Sequence, residues 1–303
     1  MTDDLQDRRD EGTVLTGGEY EEELRVAVRL AREAGAAVLA FYGGPLHVEH
    51  KDEFDEPVTQ ADRAANTLIV RGLRESFRED GILAEESVDT DRRLGRERVW
   101  MVDPIDGTKG FIAGSGDFAV QIGLAVEGRS VLGVLYAPST DVLYWAARGQ
   151  GAWVERPVAD AEGGVLTEPL RVSEETEPAR MRLAASRSHR GPKMDAVVRA
   201  LGISEEVKSH SVGIKVGLIV ERQCDLYVHL SGKTKQWDTC APEAVLREAG
   251  GRMTDLWGEP LRYNVPDVHN GNGILASNGA AHEAVVARMK KLLAEFGRTR
   301  VGD

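Results

Sequence analysis

Residues 100–109 read Trp-Met-Val-Asp-Pro-Ile-Asp-Gly-Thr-Lys, so Asp103 and Asp106 stand either side of Pro104, with Gly107 and Thr108 directly after. Residues 99–102 have the composition of a short buried strand. Pro104 has no N–H for a sheet ladder, which predicts that the strand ends at about Asp103. Two carboxylates and a hydroxyl then crowd onto one bend. Like charges at that spacing repel unless a cation lies between them. Carboxylate, carbonyl and hydroxyl oxygens are the hard donors that Mg²⁺ takes, so one reading is a divalent-metal site. The other is a plain turn, since Asp-Pro and Asp-Gly both form turns readily.

Other acidic positions carry the same ambiguity. Glu85 and Glu86 follow the apolar run 81–84, as ligands at a strand end or as the start of the charged loop that runs on to Arg98. Thr59-Gln60-Ala61-Asp62 fits the Thr-x-x-acid pattern that caps a helix, which accounts for Asp62 by itself. Asp238 precedes a helical pattern over 240–249 and suits an N-cap.

The elements that must carry these residues follow from periodicity. Apolar residues recur at helical spacing over 21–41 and again over about 59–77. Residues 118–126 and 130–136 form a hairpin around Glu127-Gly128-Arg129, and 142–146 and 152–155 form another around Gly149-Gln150-Gly151. Residues 156–169 read as an exposed loop. Beyond them strands and helices alternate: strand 183–185, helix 193–201, strand 207–211, helix 215–221, strand 225–230, helix 240–249. A hairpin of 252–255 with 261–263, a strand 273–276 and a helix 281–296 complete the chain. The pattern is that of an α/β (α+β) fold. It divides into a disordered acidic tail (1–18), an N-terminal half with an antiparallel sheet and the candidate metal site (19–165), and a C-terminal α/β half (166–303) that carries Asp238.

Composition removes several function classes. With 303 residues, 42% hydrophobic and 29% charged, the chain reads as an ordinary globular protein. Its net charge of −12 argues against binding nucleic acid through phosphates, but not against a small anion held through bound cations. No apolar run is long enough for a membrane span. The first 23 residues lack the apolar core of a secretory signal, and two cysteines, Cys224 and Cys240, suit a reducing cytoplasm.

Taken together, Asp103-Pro104-Ile105-Asp106-Gly107-Thr108, the upstream acidic pair and Trp237-Asp238-Thr239-Cys240-Ala241-Pro242 with Ala249-Gly250-Gly251 resemble the inositol monophosphatase superfamily of Mg²⁺-dependent, lithium-sensitive phosphatases. The resemblance spans residues 20–296. It implies a layered α-β-α-β-α fold, and it implies that Glu85, Asp103, the Ile105 carbonyl, Asp106 and Asp238 hold two or three Mg²⁺ ions. Asp62 and Thr108 would then position and deprotonate the attacking water, and Gly107 would let the Gly107 and Thr108 amides approach the phosphate. Ala84 stands where the family usually has Gly or Ser.

Lys109, Ser186, His189, Ser211 and Lys215 make the chain similar to the 3′(2′),5′-bisphosphate nucleotidases of that superfamily, in which they would contact a bisphosphorylated nucleoside. The implied reaction removes the 3′-phosphate of adenosine 3′,5′-bisphosphate, or of its sulfated form, and returns AMP. Histidinol-phosphate and inositol monophosphate phosphatases are the alternatives within the superfamily, and a silent nucleotide- or metal-binding regulator is the alternative outside enzymes. Taken singly, His189 and Lys215 also suit ordinary surface positions. The resemblance leaves monomer and homodimer open.

Overall fold

The computed structural model describes residues 17–51, 56–158, 164–187 and 190–302. The tail expected over 1–18 falls outside them through residue 16, as does His189. Two helices open the chain, α1 (Glu21–Leu39) and α2 (Gln60–Ser76), with the antiparallel pair β1 (Val48–Lys51) and β2 (Glu56–Thr59) between them. α1 buries Leu24, Ala31 and Val38 along one stripe and places Glu21, Glu22 and Glu23 at its positive end. α2 starts as expected, on a reciprocal cap in which Thr59 N–H donates to Asp62 at 2.8 Å and Ala61 N–H donates to the Thr59 hydroxyl at 3.2 Å.

A seven-stranded sheet follows, in simple chain order: β3 (Gly81–Ala84), β4 (Arg98–Asp106), β5 (Ala119–Val126), β6 (Arg129–Ala137), β7 (Val142–Ala147), β8 (Ala152–Pro157) and β9 (Val165–Leu170). Only the β3–β4 pair is parallel. Two expectations need correction here. β4 does not end at Asp103. It continues to Asp106 through a bulge, because Asp103 pairs with Gln121 and Asp106 with Ala119, leaving Pro104 and Ile105 opposite Val120 alone. A bulge is where a strand tolerates proline, since the ladder is already broken there. The second correction concerns 156–169. Residues 152–157 and 165–170 pair as β8 and β9, so the sheet runs on to Leu170.

A five-stranded mixed sheet forms the second half, in the order β11 (Glu205–Ser209), β10 (Arg182–Ser186), β12 (Leu226–His229), β14 (Ile274–Ser277), β13 (Arg252–Thr254). The first three strands are parallel, and β14 is antiparallel to both neighbours. The helices are α3 (Thr108–Ile112), α4 (Pro192–Leu201), α5 (Val212–Val220), α6 (Gln236–Glu248) and α7 (His282–Glu295). The expected hairpin of 252–255 with 261–263 does not form. β13 pairs with β14 instead, and Tyr263 bonds elsewhere, its N–H donating to Gly128 in the β5–β6 turn and its hydroxyl to Glu243 of α6.

Strand alternation sorts the side chains into three cores and five layers. Trp100, Val102, Ile122 and Val134 pack on α1 and α2, while their neighbours Met101, Ala125 and Leu135 face α5 and α6. In the second sheet Tyr227 and Ala276 face α5 and α6, while Leu226, Val228 and Leu275 face α4 and α7. The order is α1/α2, sheet, α5/α6, sheet, α4/α7, as expected. α6 lies close to the first sheet because the directly paired Gly123 and Gly133 present no side chain. A Cβ on Gly133 would lie 2.2 Å from the Ala241 carbonyl oxygen.

Candidate active site

The β4 bulge sets the centre of the site. Asp103, 2% exposed, accepts the Ile105 N–H at 3.0 Å, which turns the peptide so that residues 103–106 present oxygens to one cavity. Glu85 comes from the neighbouring parallel strand, placed by its N–H donating to Val102 O at 3.0 Å. Asp238 comes from α6. It is the third residue of that helix and not its N-cap, for the helix begins at Gln236, and its carboxylate accepts the Lys235 N–H at 2.7 Å. Asp106 lies at the start of α5, where it accepts N–H groups from Val212 at 3.0 Å and Gly213 at 2.7 Å and the Ser211 hydroxyl. Glu85, Asp103, Ile105, Asp106, Thr108 and Asp238 all line one cavity of about 270 Å³.

Burial raises the proton affinity of three of these carboxylates, and neighbouring negative charge adds to the rise at Asp103 and Asp238. Burial lifts Asp103 well above the usual carboxylate range, and the charges of Glu85, Asp106 and Asp238, with a hydrogen bond to Glu85, add to it. Asp238 is pushed up to about 8, first by burial, then by Glu85 and Asp106, against the pull of the Lys235 amide and charge. Burial also raises Asp106, opposed by Lys215, the Ser211 hydroxyl and the α5 amides. Among the described residues, no three His, Cys, Asp or Glu side chains are arranged to hold a metal ion as they stand. Asp103, Asp106 and Asp238 are each turned to the protein partners just named. The donor set fits a hard divalent cation all the same: carboxylates and the Ile105 carbonyl supply only oxygen, and their repulsion is what a cation relieves.

Asp62 and Thr108 meet beside this cluster. The Thr108 hydroxyl lies 3.4 Å from Asp62 Oδ1 and 3.1 Å from the Ile105 carbonyl, while Asp62 Oδ2 accepts the Thr59 N–H and hydroxyl. The cap and the Thr108 contact therefore use different oxygens of one carboxylate. Burial raises Asp62 to about 6; the Thr59 hydrogen bonds oppose the rise, and the charges of Glu85 and Glu86 add to it. Gly107, at φ 94°, has the left-handed backbone that lets β4 turn into α3, and a Cβ there would meet the Asp117 carbonyl at 2.8 Å.

The expected substrate contacts divide. Lys109, Ser186 and Lys215 line the cavity. Lys215 is not a surface residue. It is 1% exposed, its ammonium donates to the His210 carbonyl at 3.2 Å, and it lies 4.9 Å from the centre of the Tyr227 ring. Burial lowers its pKa to about 8, while the charges of Asp106, Asp117 and Asp238 work in the other direction. Ser211 is a correction. It is fully buried, caps α5 through Ile214 N–H at 2.9 Å and donates to Asp106, so it holds a carboxylate and does not face a substrate. His210, His229, Lys233 and Lys235 also line the cavity, and sequence reading did not single them out. Lys233 and Lys235 precede Trp237-Asp238 and were the legible ones, as two cations beside a carboxylate motif.

The model of the inositol monophosphatase family matches residues 19–294. The chain belongs to the inositol monophosphatase family. It is thus a phosphatase of small phosphorylated metabolites, with the architecture that family membership implies. A protein of Salmonella typhimurium named 3′(2′),5′-bisphosphate nucleotidase CysQ is 38% identical over 244 residues, 79% of this chain and 93% of that one. A histidinol-phosphatase of Mycobacterium tuberculosis is 31% identical over 272 residues, 88% of this chain and 98% of that one. The crystal structure of CysQ from Bacteroides thetaiotaomicron, 31% identical, superposes with a TM-score of 0.72 over 86% of this chain and 98% of that one. Among the described residues no helix is long and apolar enough to cross a membrane.

Proposed function

We propose that this family member is a Mg²⁺-dependent 3′(2′),5′-bisphosphate nucleotidase that hydrolyses the 3′-phosphate of adenosine 3′,5′-bisphosphate to give AMP and phosphate. The observation that carries the reading is one cavity lined both by carboxylates and by Lys109, Lys215 and Lys233. Such a cavity suits a ligand carrying more negative charge than one phosphate. The relatives named CysQ point the same way. Glu85, Asp103, the Ile105 carbonyl, Asp106 and Asp238 would hold the cations, which when bound supply positive charge against the phosphate and make water a stronger acid.

The chain's own residues account for the proton and the orientation. The Thr108 hydroxyl donates toward Asp62 and keeps its lone pairs to accept from the attacking water. With a pKa of about 6, Asp62 is ionised at neutral pH and basic enough to take the proton that water releases. Water's oxygen forms the new P–O bond and the ester P–O bond breaks; the departing ribose oxygen leaves as an alkoxide that takes a proton from solvent water, and Asp62 returns its proton to solvent. Lys215, held by backbone carbonyls at the cavity wall, supplies a fixed positive charge that favours a second phosphate in the cavity.

A second reading, histidinol-phosphate hydrolysis, has the Mycobacterium tuberculosis relative in its favour. Phosphate release from adenosine 3′,5′-bisphosphate, histidinol phosphate and inositol 1-phosphate, each with Mg²⁺ and with EDTA, separates the readings. Preference for the bisphosphate by tenfold or more in kcat/KM supports the nucleotidase. Preference for either monophosphate overturns it, as does an absence of turnover of the bisphosphate.

A further inference from the structure

Two of the four cavity carboxylates do not come from the β4 bulge, and a hydrogen-bonded chain through the buried side chains of Arg93 and Gln236 joins the segments that carry them. Asp89 lies four residues beyond Glu85, and Gln236 lies two before Asp238. Between them sits Arg93, only 3% exposed, in a short 3-10 turn. Its Nε and Nη2 donate to Asp89 Oδ2 at 2.9 and 2.7 Å, and its Nη1 donates to Asn264 Oδ1 and the Val265 carbonyl, both at 3.1 Å. Asn264 Nδ2 returns hydrogen bonds to the carbonyls of Arg93 and Arg96 at 3.0 Å. The Asn264 N–H then donates to Gln236 Oε1 at 2.7 Å. Gln236, 1% exposed, donates from Nε2 to the carbonyls of Val265 and Asp267 and from its N–H to Val268.

The chain is continuous from the loop after Glu85 to the first residue of α6, and its three central side chains are planar groups with fixed donor and acceptor directions. Such groups transmit position better than apolar contacts, which slide. A bare need for capping or burial does not require the link. Asn264, at φ 55°, suits a left-handed turn with or without its side-chain bonds. Gln236 begins a helix that would form equally well with Glu or Ser at that position.

We propose that Arg93, Asn264 and Gln236 are positioning residues that fix the separation of Glu85 and Asp238, and thereby set the affinity of the site for its divalent cation. The inference rests on the Mg²⁺ site proposed above. Outer partners that orient metal ligands typically govern affinity by 10- to 100-fold.

The test is Mg²⁺ titration of the purified full-length chain by calorimetry, with melting in EDTA as the folding control. Asn264→Gly keeps the left-handed backbone and removes the side-chain bonds to Arg93 and Arg96. It should bind Mg²⁺ about tenfold more weakly while melting in EDTA within a degree or two of wild type. Gln236→Met removes the bonds from Gln236 to both the Asn264 N–H and the Val265 carbonyl, the second of which Asn264→Gly leaves in place, and should weaken binding by at least that factor. The double variant should be no weaker than the weaker single, since both act on one chain. In turnover assays the Mg²⁺ concentration for half-maximal rate should rise, with the rate at saturating Mg²⁺ kept. Wild-type Mg²⁺ affinity in both single variants overturns the inference, as does strict additivity in the double. Asp238→Asn separates the two levels: if wild type and D238N take up Mg²⁺ alike, or neither does, the metal site itself is wrong and the positioning role falls with it.

Discussion

Asp238→Asn should make the cation-free protein more stable and at the same time disable it. The side chain accepts a hydrogen bond from Lys235 N–H that an Asn oxygen can keep, so the change removes a charge with little change of shape. In the folded chain the carboxyl is pushed from an ordinary 3.8 to about 8. A raised carboxylate pKa means that the folded state holds more protons than the unfolded state between those values, so its stability falls as pH rises through that window. At pH 7 the group is about three units above its unfolded pKa and still mostly protonated when folded. At about 1.4 kcal/mol per unit, keeping it there costs the fold on the order of 4 kcal/mol. Allowing for the imperfect fit of an amide, D238N should gain about 2–4 kcal/mol in EDTA at pH 7.5, visible as a melting temperature higher by roughly 5 °C or more. At pH 5 the gain should shrink to about 1–2 kcal/mol, because less of the window has been crossed. Mg²⁺ should reverse the order, since a ligand stabilises wild type by RT ln(1 + [L]/Kd) and D238N has lost a donor. Turnover should drop by about 100-fold or more, beyond the cost of losing an outer partner. The assays are thermal melts across pH 5–8 with EDTA or Mg²⁺, and phosphate release. A variant that melts at or below wild type in EDTA and keeps its Mg²⁺ response would falsify the reading of a repelling carboxylate cluster.

Other substitutions probe the scaffold. Gly133→Ala places a Cβ 2.2 Å from Ala241 O, so α6 must shift by about 1 Å. Urea unfolding should show a loss of about 1–3 kcal/mol, and Mg²⁺ binding should weaken because Asp238 rides on that helix. Arg32 pairs with Glu155, which is 1% exposed, across the face between α1 and β8. Arg32→Met should cost about 3 kcal/mol by leaving a buried charge, and adding Glu155→Gln should recover most of it; no recovery would show that the loss is packing alone. His282 is fully buried between the hydroxyls of Thr254 and Ser277, and burial lowers its pKa from 6.5 to about 4. The unfolded chain therefore binds the extra proton between pH 6.5 and 4, and stability falls across that range on acidification, by up to about 3 kcal/mol from this group. His282→Gln should flatten that part of the stability-against-pH curve; an unchanged slope places the acid sensitivity elsewhere.

The architecture was legible because its signals are local. Helical spacing in α1, the Thr59–Asp62 cap and the Gly-centred hairpins each depend on a few adjacent residues. The failures lie where the partner is distant. Pro104 signals a strand end, and only the presence of β5 alongside turns that end into a bulge through which β4 continues. Residues 261–263 have strand composition, yet Tyr263 finds its partners in Gly128 and Glu243, more than a hundred and about twenty residues away. β9 went unread because an edge strand needs no alternating apolar face.

The same division runs through the site. The sequence alone specified which atoms are available: carboxylates at 85, 103, 106 and 238, a carbonyl at 105, and the Thr108–Asp62 pair. Oxygen chemistry and charge are properties of residue type, and the two motifs carry them intact. What each atom does depends on direction and burial, which no residue possesses by itself. Tertiary structure turned Ser211 from a substrate contact into the support of Asp106, and it took Lys215 out of solvent. It also brought α6 down onto a glycine pair so that Asp238 reaches the bulge. Distance in space, and the loss of water that comes with it, decided those roles.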